Sequence, residues 1–237
     1  MSAVAIITAR GGSKRIPRKN VRPFLGRPII AYSIEAALGS RLFDEVMVST
    51  EDDDIADLAR AAGAEVPFSR SPATSDDHST TADVLQEVLR SYAALGREFE
   101  YACCIYPTAP FVTAERLRDA FARMKESGAD AAIPVTPFSF AIWRAFQMQG
   151  GRLAYIWPEY APRRSQDLPP AWHDAGQFYF FRTAALLASG TLVGANTLGI
   201  EVDELEVQDI DTERDWALAE VKYRLMLERA ASRSKAD

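Results

Sequence analysis

Thr8-Ala9-Arg10-Gly11-Gly12-Ser13-Lys14-Arg15-Ile16-Pro17-Arg18-Lys19-Asn20 follows directly on the apolar run Val4-Ala5-Ile6-Ile7. The run reads as a buried strand, and the stretch after it as a glycine-rich basic loop leaving that strand's C-terminal end. An amphipathic segment opens at Pro28. A loop of this kind after an N-terminal strand is where an α/β protein holds a polyphosphate. Glycines let the backbone come close to the anion, and the cations neutralise it. The cations stand out because the whole 237-residue chain carries a net charge of −6. Basic residues gathered in one loop of an acidic protein suggest a small anion site and argue against nucleic-acid binding.

From this loop onward, strand-like and helix-like segments alternate, which predicts a mostly parallel sheet with helices on both faces. Strands are expected near residues 4–8, 45–49, 65–68, 101–105 and 131–135, and helices over 28–38, 53–62, 81–95 and 114–125. Asp52-Asp53-Asp54 suits a helix N-terminus, and Gly63, Gly96 and Gly128 suit helix ends. The rhythm breaks after Pro134. Residues 137–170 hold five prolines and the aromatics Phe138, Phe140, Trp143, Phe146, Tyr155, Trp157 and Tyr160 without helical spacing. This reads as a protruding arm of short strands and loops, too small for a second domain, so one domain spanning 1–237 is expected. Regularity returns with a strand at 177–181, a short helix at 183–188, a last strand at 207–210 and a helix at 213–229, with a frayed tail from Ala231.

With 48% apolar residues the chain can fill a full core. No apolar run approaches the roughly 18 residues of a membrane helix, and no signal-peptide pattern is present, so a cytoplasmic location is expected. Cys103 and Cys104 are adjacent within an apolar run and read as reduced, buried and structural. His78 and His173 lack ligand spacing, which argues against zinc. Asp209 and Asp211, at i and i+2 on the expected last strand, would share one face as oxygen donors for a hard divalent ion. The simpler alternative for Asp211 is a cap on the following helix.

The loop is neither a Walker A sequence nor a dinucleotide fingerprint, both of which need a different glycine spacing. Ala9-Arg10-Gly11-Gly12-Ser13-Lys14-Arg15-Ile16-Pro17-Arg18-Lys19-Asn20 instead resembles the signature of the CMP-sugar acid synthetases, cytidylyltransferases acting on 2-keto sugar acids. The resemblance runs to about residue 225. It includes Val48-Ser49-Thr50-Glu51-Asp52, Arg70 within Phe68-Ser69-Arg70-Ser71-Pro72, the Ser75-Asp76 turn, Tyr106-Pro107-Thr108-Ala109-Pro110, Arg164-Ser165-Gln166-Asp167-Leu168-Pro169 and Gln208-Asp209-Ile210-Asp211-Thr212. Tyr106 and His173-Asp174-Ala175-Gly176-Gln177 are similar to the subgroup that activates pseudaminic acid. A methyl-ended sugar with fewer hydroxyls also suits an aromatic-rich pocket.

The resemblance implies a three-layer α/β nucleotide-diphospho-sugar transferase fold whose arm serves dimerisation, and transfer of a cytidylyl group from CTP with release of pyrophosphate. It assigns Ala9, Arg10, Gly11, Gly12, Ser13, Lys14, Lys19, Asn20, Arg70, Ser75 and Asp76 to the nucleotide, with Arg10 and Lys14 catalytic. Tyr106, Thr108, Arg164, Gln166, His173 and Gln177 fall to the sugar acid, Arg164 gripping its carboxylate. Asp209 and Asp211 hold Mg²⁺ or Mn²⁺ and are catalytic, the proton going either to Asp209 or to a metal-bound hydroxide. A homodimer is expected, with neither nucleic acid nor membrane as partner. The competing readings are the same reaction on sialic or legionaminic acid, and a non-catalytic nucleotide sensor of the same fold.

Overall fold

The computed structural model describes residues 2–76 and 79–233; His78 and Asp77 lie outside them. The opening run forms β1 (Ala3–Thr8) and is apolar throughout because both its faces are covered. Ala3, Ala5 and Ile7 point into one core and Val4 and Ile6 into the other, the period of two that a strand imposes. Two short strands, β2 (Pro23–Phe24) and β3 (Arg27–Pro28), form a turn that leads into α1 (Ile29–Ser40). Next come β4 (Glu45–Ser49), α2 (Asp53–Ala61), α3 (Thr81–Ala94), β5 (Tyr101–Ile105), α4 (Ala114–Ser127) and β6 (Ala131–Pro137). A hairpin of β7 (Phe146–Gln149) and β8 (Arg152–Tyr155) precedes β9 (Trp172–Asp174) and β10 (Phe178–Arg182). The chain ends with α5 (Thr183–Ser189), β11 (Thr197–Glu201) and α6 (Glu213–Arg233).

The large sheet has the order β11-β6-β10-β5-β1-β4, with β9 added to β6. β1 pairs in parallel with β5 and β4, and β11 in parallel with β6, while β10 runs antiparallel between β5 and β6. One face packs on α1, α2 and α4 through Ile30, Ile34, Ile55, Leu117 and Phe121, the other on α3 and α5 through Leu85, Val88, Tyr92 and Leu186. Each such large apolar side chain contributes about 1.5–3 kcal/mol on burial. The result is the expected three-layer, mostly parallel architecture. The reversed β10 brings its leading residues, Gly176 and Gln177, to the edge where the parallel strands end, which is where such folds hold ligands.

Local signals set the boundaries. Asp52 caps α2, its Oδ1 accepting from the Ile55 amide at 3.0 Å. Gly128 closes α4 in the left-handed region, φ +69°. Cys103 and Cys104 are buried and unbridged, and burial pushes both thiols up, Cys104 to about 12.

Three segments differ from expectation. Residues 65–68 make a single bridge, Glu65 to Met47, because Pro67 cannot donate to a ladder. Residues 207–210 form no strand, and side chains take up their carbonyls instead. The last strand is β11, shorter in signal because Gly199 interrupts it; a Cβ there would stand 3.2 Å from Val135 Cγ2. The terminal helix continues past 229 to Arg233, so residues 231–233 are helical. In the arm region, β7 and β8 pair only with each other, leaving Phe146, Met148 and Leu153 exposed.

Candidate active site

At the C-terminal ends of β1 and β5 lies a cleft of about 480 Å³, lined by Thr8, Arg10, Ser13, Lys14, Arg15, Ile16, Lys19, Asn20, Thr81, Tyr106, Pro107, Thr108, Asp209 and Asp211. The basic loop forms one wall. Its path is fixed by backbone and side-chain bonds: Ala9 N donates to Ser49 O at 3.0 Å, Gly11 N to Glu51 Oε1 at 2.7 Å, and Asn20 Nδ2 to Arg10 O at 2.8 Å. Gly11 is required sterically, since a Cβ there would lie 2.5 Å from Asp52 Oδ2.

The loop's cations divide between two tasks. Arg18 turns away from the cleft to bind Asp52 at 2.5 Å and Asp54 at 2.7 Å, anchoring the loop to the start of α2. Arg10, Lys14, Arg15 and Lys19 remain on the cleft wall. Lys19 Nζ donates to Ile210 O at 2.6 Å and stands 3.5 Å from Asp211 Oδ1, while Arg15 Nη2 meets the same oxygen at 2.9 Å. The phosphate loop and the carboxylate pair therefore face each other across one cleft.

The Asp211 carboxylate does not cap α6. Thr212 does, exchanging hydrogen bonds with Asp215: Thr212 Oγ1 donates to Asp215 Oδ2 at 2.8 Å and accepts from Asp215 N at 3.3 Å. Asp211 is left facing the cations. Asp209 keeps solvent contact at the mouth, yet its carboxyl lies above the ordinary carboxylate value. Desolvation by the cleft walls contributes most, then the Asp211 charge, with Lys19 and Arg15 opposing. Two carboxylates brought to one cleft are the oxygen donors that suit a hard divalent cation.

The segment before this pair is held by three side chains. Gln177 Nε2 donates to Glu206 O at 2.6 Å, Lys222 Nζ to Val207 O at 2.7 Å and Glu204 O at 3.1 Å, and Arg116 pairs with the Glu206 carboxylate. These bonds replace the expected strand ladder at 207–210.

The other expected site residues are placed as follows. Ala9, Gly11 and Gly12 belong to the loop backbone. Arg70 is buried behind the cleft, donating from Nε to Ser49 Oγ and from Nη2 to Ser49 O, each at 3.1 Å. Burial holds its guanidinium below the usual range, with Glu51 and Glu87 opposing. Ser75 Oγ donates to Ser71 O at 2.7 Å, and Asp76 O accepts from Arg10 Nη1 at 3.0 Å, tying this turn to the loop. Tyr106 and Thr108 line the cleft.

Four residues assigned to the sugar do not line it. Arg164 is exposed and its fork is occupied by Asp167, at 2.8 and 3.1 Å. Gln166 lines a separate arm pocket with Phe140 and Trp143. His173 packs on Phe138, with Nδ1 2.9 Å from Asp174 O. Gln177 points to Glu206, away from the cleft.

Sequence reading passed over Thr81, Arg15 and Glu87. Thr81 looks only like a helix start, and Arg15 only like one more loop charge. Glu87 sits among helical residues with nothing to mark that it accepts from Ser71 N, Ser71 Oγ and Thr74 Oγ1 at 2.9, 2.6 and 2.7 Å. It thereby pins the turn that follows Arg70.

Residues 4–185 match the family model described as "Cytidylyltransferase". The chain is 37% identical to the pseudaminic acid cytidylyltransferase of Campylobacter jejuni, over 97% of this chain and all of that one. It is 32% identical to a CMP-N,N'-diacetyllegionaminic acid synthase of Legionella pneumophila, over 93% and 95% of the two chains. In architecture it matches a CMP:2-keto-3-deoxy-manno-octonic acid synthetase solved with CTP, with a TM-score of 0.71, 21% identity and coverage of 96% and 100%. With both the loop and the carboxylate pair placed on that frame, the chain belongs to the cytidylyltransferase family and is a CTP-dependent nucleotidyltransferase.

Proposed function

We propose that this protein activates a nine-carbon 2-keto sugar acid of the pseudaminic type, giving the CMP-sugar and pyrophosphate. The observation that carries the reading is the opposition of Arg10, Lys14 and Lys19 to Asp209 and Asp211 across one cleft; the Campylobacter jejuni relative supports the choice of sugar. The anomeric hydroxyl of the sugar acid attacks the α-phosphorus of CTP, a P–O bond forms, and the bond to the β-phosphate breaks as pyrophosphate leaves. The protein's part is alignment and charge stabilisation. Arg10 and Lys14 neutralise charge growing on the departing pyrophosphate. Asp209, lining the same cleft, takes the hydroxyl proton. Asp209 and Asp211 would also hold Mg²⁺, a hard Lewis acid that supplies positive charge at the α-phosphate. Their paired oxygen donors fit such an ion.

The test is pyrophosphate release from CTP measured against a panel of pseudaminic, legionaminic and sialic acids. Release should require a sugar acid and be fastest with pseudaminic acid; sialic acid as the best acceptor would reassign the substrate. With the acceptor fixed, CTP should be used in strong preference to ATP and GTP, the segment from Arg70 to Asp76 supplying the contacts that choose cytosine. Comparable turnover with ATP would refute the nucleotide assignment.

The arm supports a homodimer. Phe140, Phe146, Met148, Leu153 and Ile156 are all exposed along residues 140–156, a run of large apolar side chains of the kind that marks an interaction surface. Light scattering at micromolar concentration should give twice the chain mass, and Met148→Asp with Leu153→Asp should shift it toward the monomer. Among the described residues no helix is long and apolar enough to cross a membrane, and we place the enzyme in the cytoplasm, where CTP is available.

A further inference from the structure

The run that carries Asp209 and Asp211 stands outside the sheet, yet it begins extended: Val207 has φ −126° and ψ 125°. In a sheet, pairing with a neighbouring strand would fix the face of every residue; here single side chains do it. Lys222 Nζ donates to Glu204 O at 3.1 Å and to Val207 O at 2.7 Å, bridging the turn at Glu204–Glu206. Lys19 Nζ donates to Ile210 O at 2.6 Å, and Asp211 N to Asp215 Oδ2 at 3.2 Å. The Ile210 side chain, between the two carboxylates in sequence, is buried in one cluster with Trp216 and Ala219.

Most of these grips come from one helix. Asp215, Trp216, Ala219 and Lys222 are spaced i, i+1, i+4 and i+7, which places them on one stripe of α6. The stripe takes the run on both sides of the pair, Lys222 before Asp209 and Asp215 at Asp211, with Ile210 seated between. With Ile210 turned into the core, Asp209 and Asp211 are left facing the cleft that both line. Ile16 of the basic loop enters the same cluster. The helix that sets the carboxylates therefore also seats the loop of cations opposite them.

We propose that Lys222 is a positioning residue for the metal site: by holding Glu204 O and Val207 O with one ammonium, it keeps Asp209 aligned with Asp211 and so sets the affinity for a divalent cation. The assignment rests on the reading of Asp209 and Asp211 as metal ligands. Lys222 does not line the cleft; its effect reaches Asp209 through two residues of backbone. Of the three carbonyl bonds upstream of Asp209, only that of Gln177 to Glu206 O survives without it. Asp211 meanwhile keeps Asp215, Arg15 and Lys19. One carboxylate stays fixed and the other wanders. A site whose ligands stand together only part of the time binds its ion more weakly by that fraction.

The experiment measures Mn²⁺ uptake by the enzyme from the fall in the free-ion electron paramagnetic resonance signal, alongside steady-state kinetics in CTP at saturating Mg²⁺. Lys222→Met keeps an unbranched stem and removes the donors. Its Mn²⁺ Kd should rise about tenfold, the lower end of what a hydrogen bond from a charged group is worth. The CTP KM should move less than about twofold, since Arg10 and Lys14 are untouched. Lys222→Arg, whose guanidinium can donate to two carbonyls, should bring the Kd back to within about threefold of wild type. A merely structural role would lower the melting temperature and raise the CTP KM along with the Kd. If Lys222→Met fails to fold, Lys222→Gln, with one short amide in place of the ammonium, decides instead. A folded variant with wild-type Mn²⁺ affinity, or a CTP KM that rises as much as the Kd, overturns the proposal while leaving the metal reading intact. Wild-type enzyme that takes up no Mn²⁺ and turns over in chelator overturns both.

Discussion

Asp211→Asn should lower kcat by about 10³-fold, because several kcal/mol of charge stabilisation at the reacting phosphate disappear with one carboxylate. The fold should survive. Thr212 and Asp215, not Asp211, cap α6, and the Asp211 side chain pairs with Arg15 and Lys19 on the cleft wall. Loss of activity with an unchanged melting temperature in metal-free buffer separates a metal ligand from a helix cap. Titration gives a second check. The Asp209 carboxyl sits high through desolvation and then the Asp211 charge. Since folding raises this pKa, the ionised form costs stability above it, and a divalent cation offsets that cost. Mg²⁺ should therefore raise the wild-type Tm more at neutral than at acid pH, and this pH-dependent gain should vanish in Asp211→Asn. Near-wild-type kcat in the variant at millimolar Mg²⁺ would remove the carboxylate pair from the chemistry.

Much of this was legible in the sequence because the signals are local. The both-face apolar run of β1, the loop composition and the Asp52 cap each follow from a few adjacent residues. What stayed hidden depends on which distant groups meet. β11 carries too weak a pattern around Gly199 to announce itself, whereas Val207-Gln208-Asp209-Ile210 reads as a short strand before a helix but loses its carbonyls to Lys222 and Lys19. The pairing of Asp209 with Asp211 was readable from spacing, though the face they share comes from an extended loop held by Gln177 and Arg116. Arg164 shows the converse. Its motif suggests a carboxylate clamp, but the carboxylate it grips is Asp167, three residues on. Nor can spacing show that the reversed β10 sets Tyr179 against Tyr106.

Lys14→Ala and Arg10→Ala should each lower kcat by about 10²-fold or more, the scale of removing one preorganised donor from a developing anion. Both side chains line the cleft. The loop's path is also held by bonds that alanine leaves in place, since Gly11 N bonds Glu51 and Asn20 bonds the Arg10 carbonyl. Arg10 also donates to Asp76 O, so its variant should additionally raise the CTP KM by loosening the adjoining turn, and Lys14→Ala should do so less. Arg18→Ala supplies the control. Arg18 is a cation of the same loop and is bound to Asp52 and Asp54 outside the cleft; an exposed pair of this kind contributes about 0–1 kcal/mol to stability. Its loss should leave kcat close to wild type. If Arg18→Ala costs as much as Lys14→Ala, the loop acts through its shape, and the placement of individual charges against the triphosphate is wrong. If only the cleft-facing cations matter, the division of labour within Thr8–Asn20 is electrostatic: Arg18 anchors, while Arg10 and Lys14 act on the leaving group.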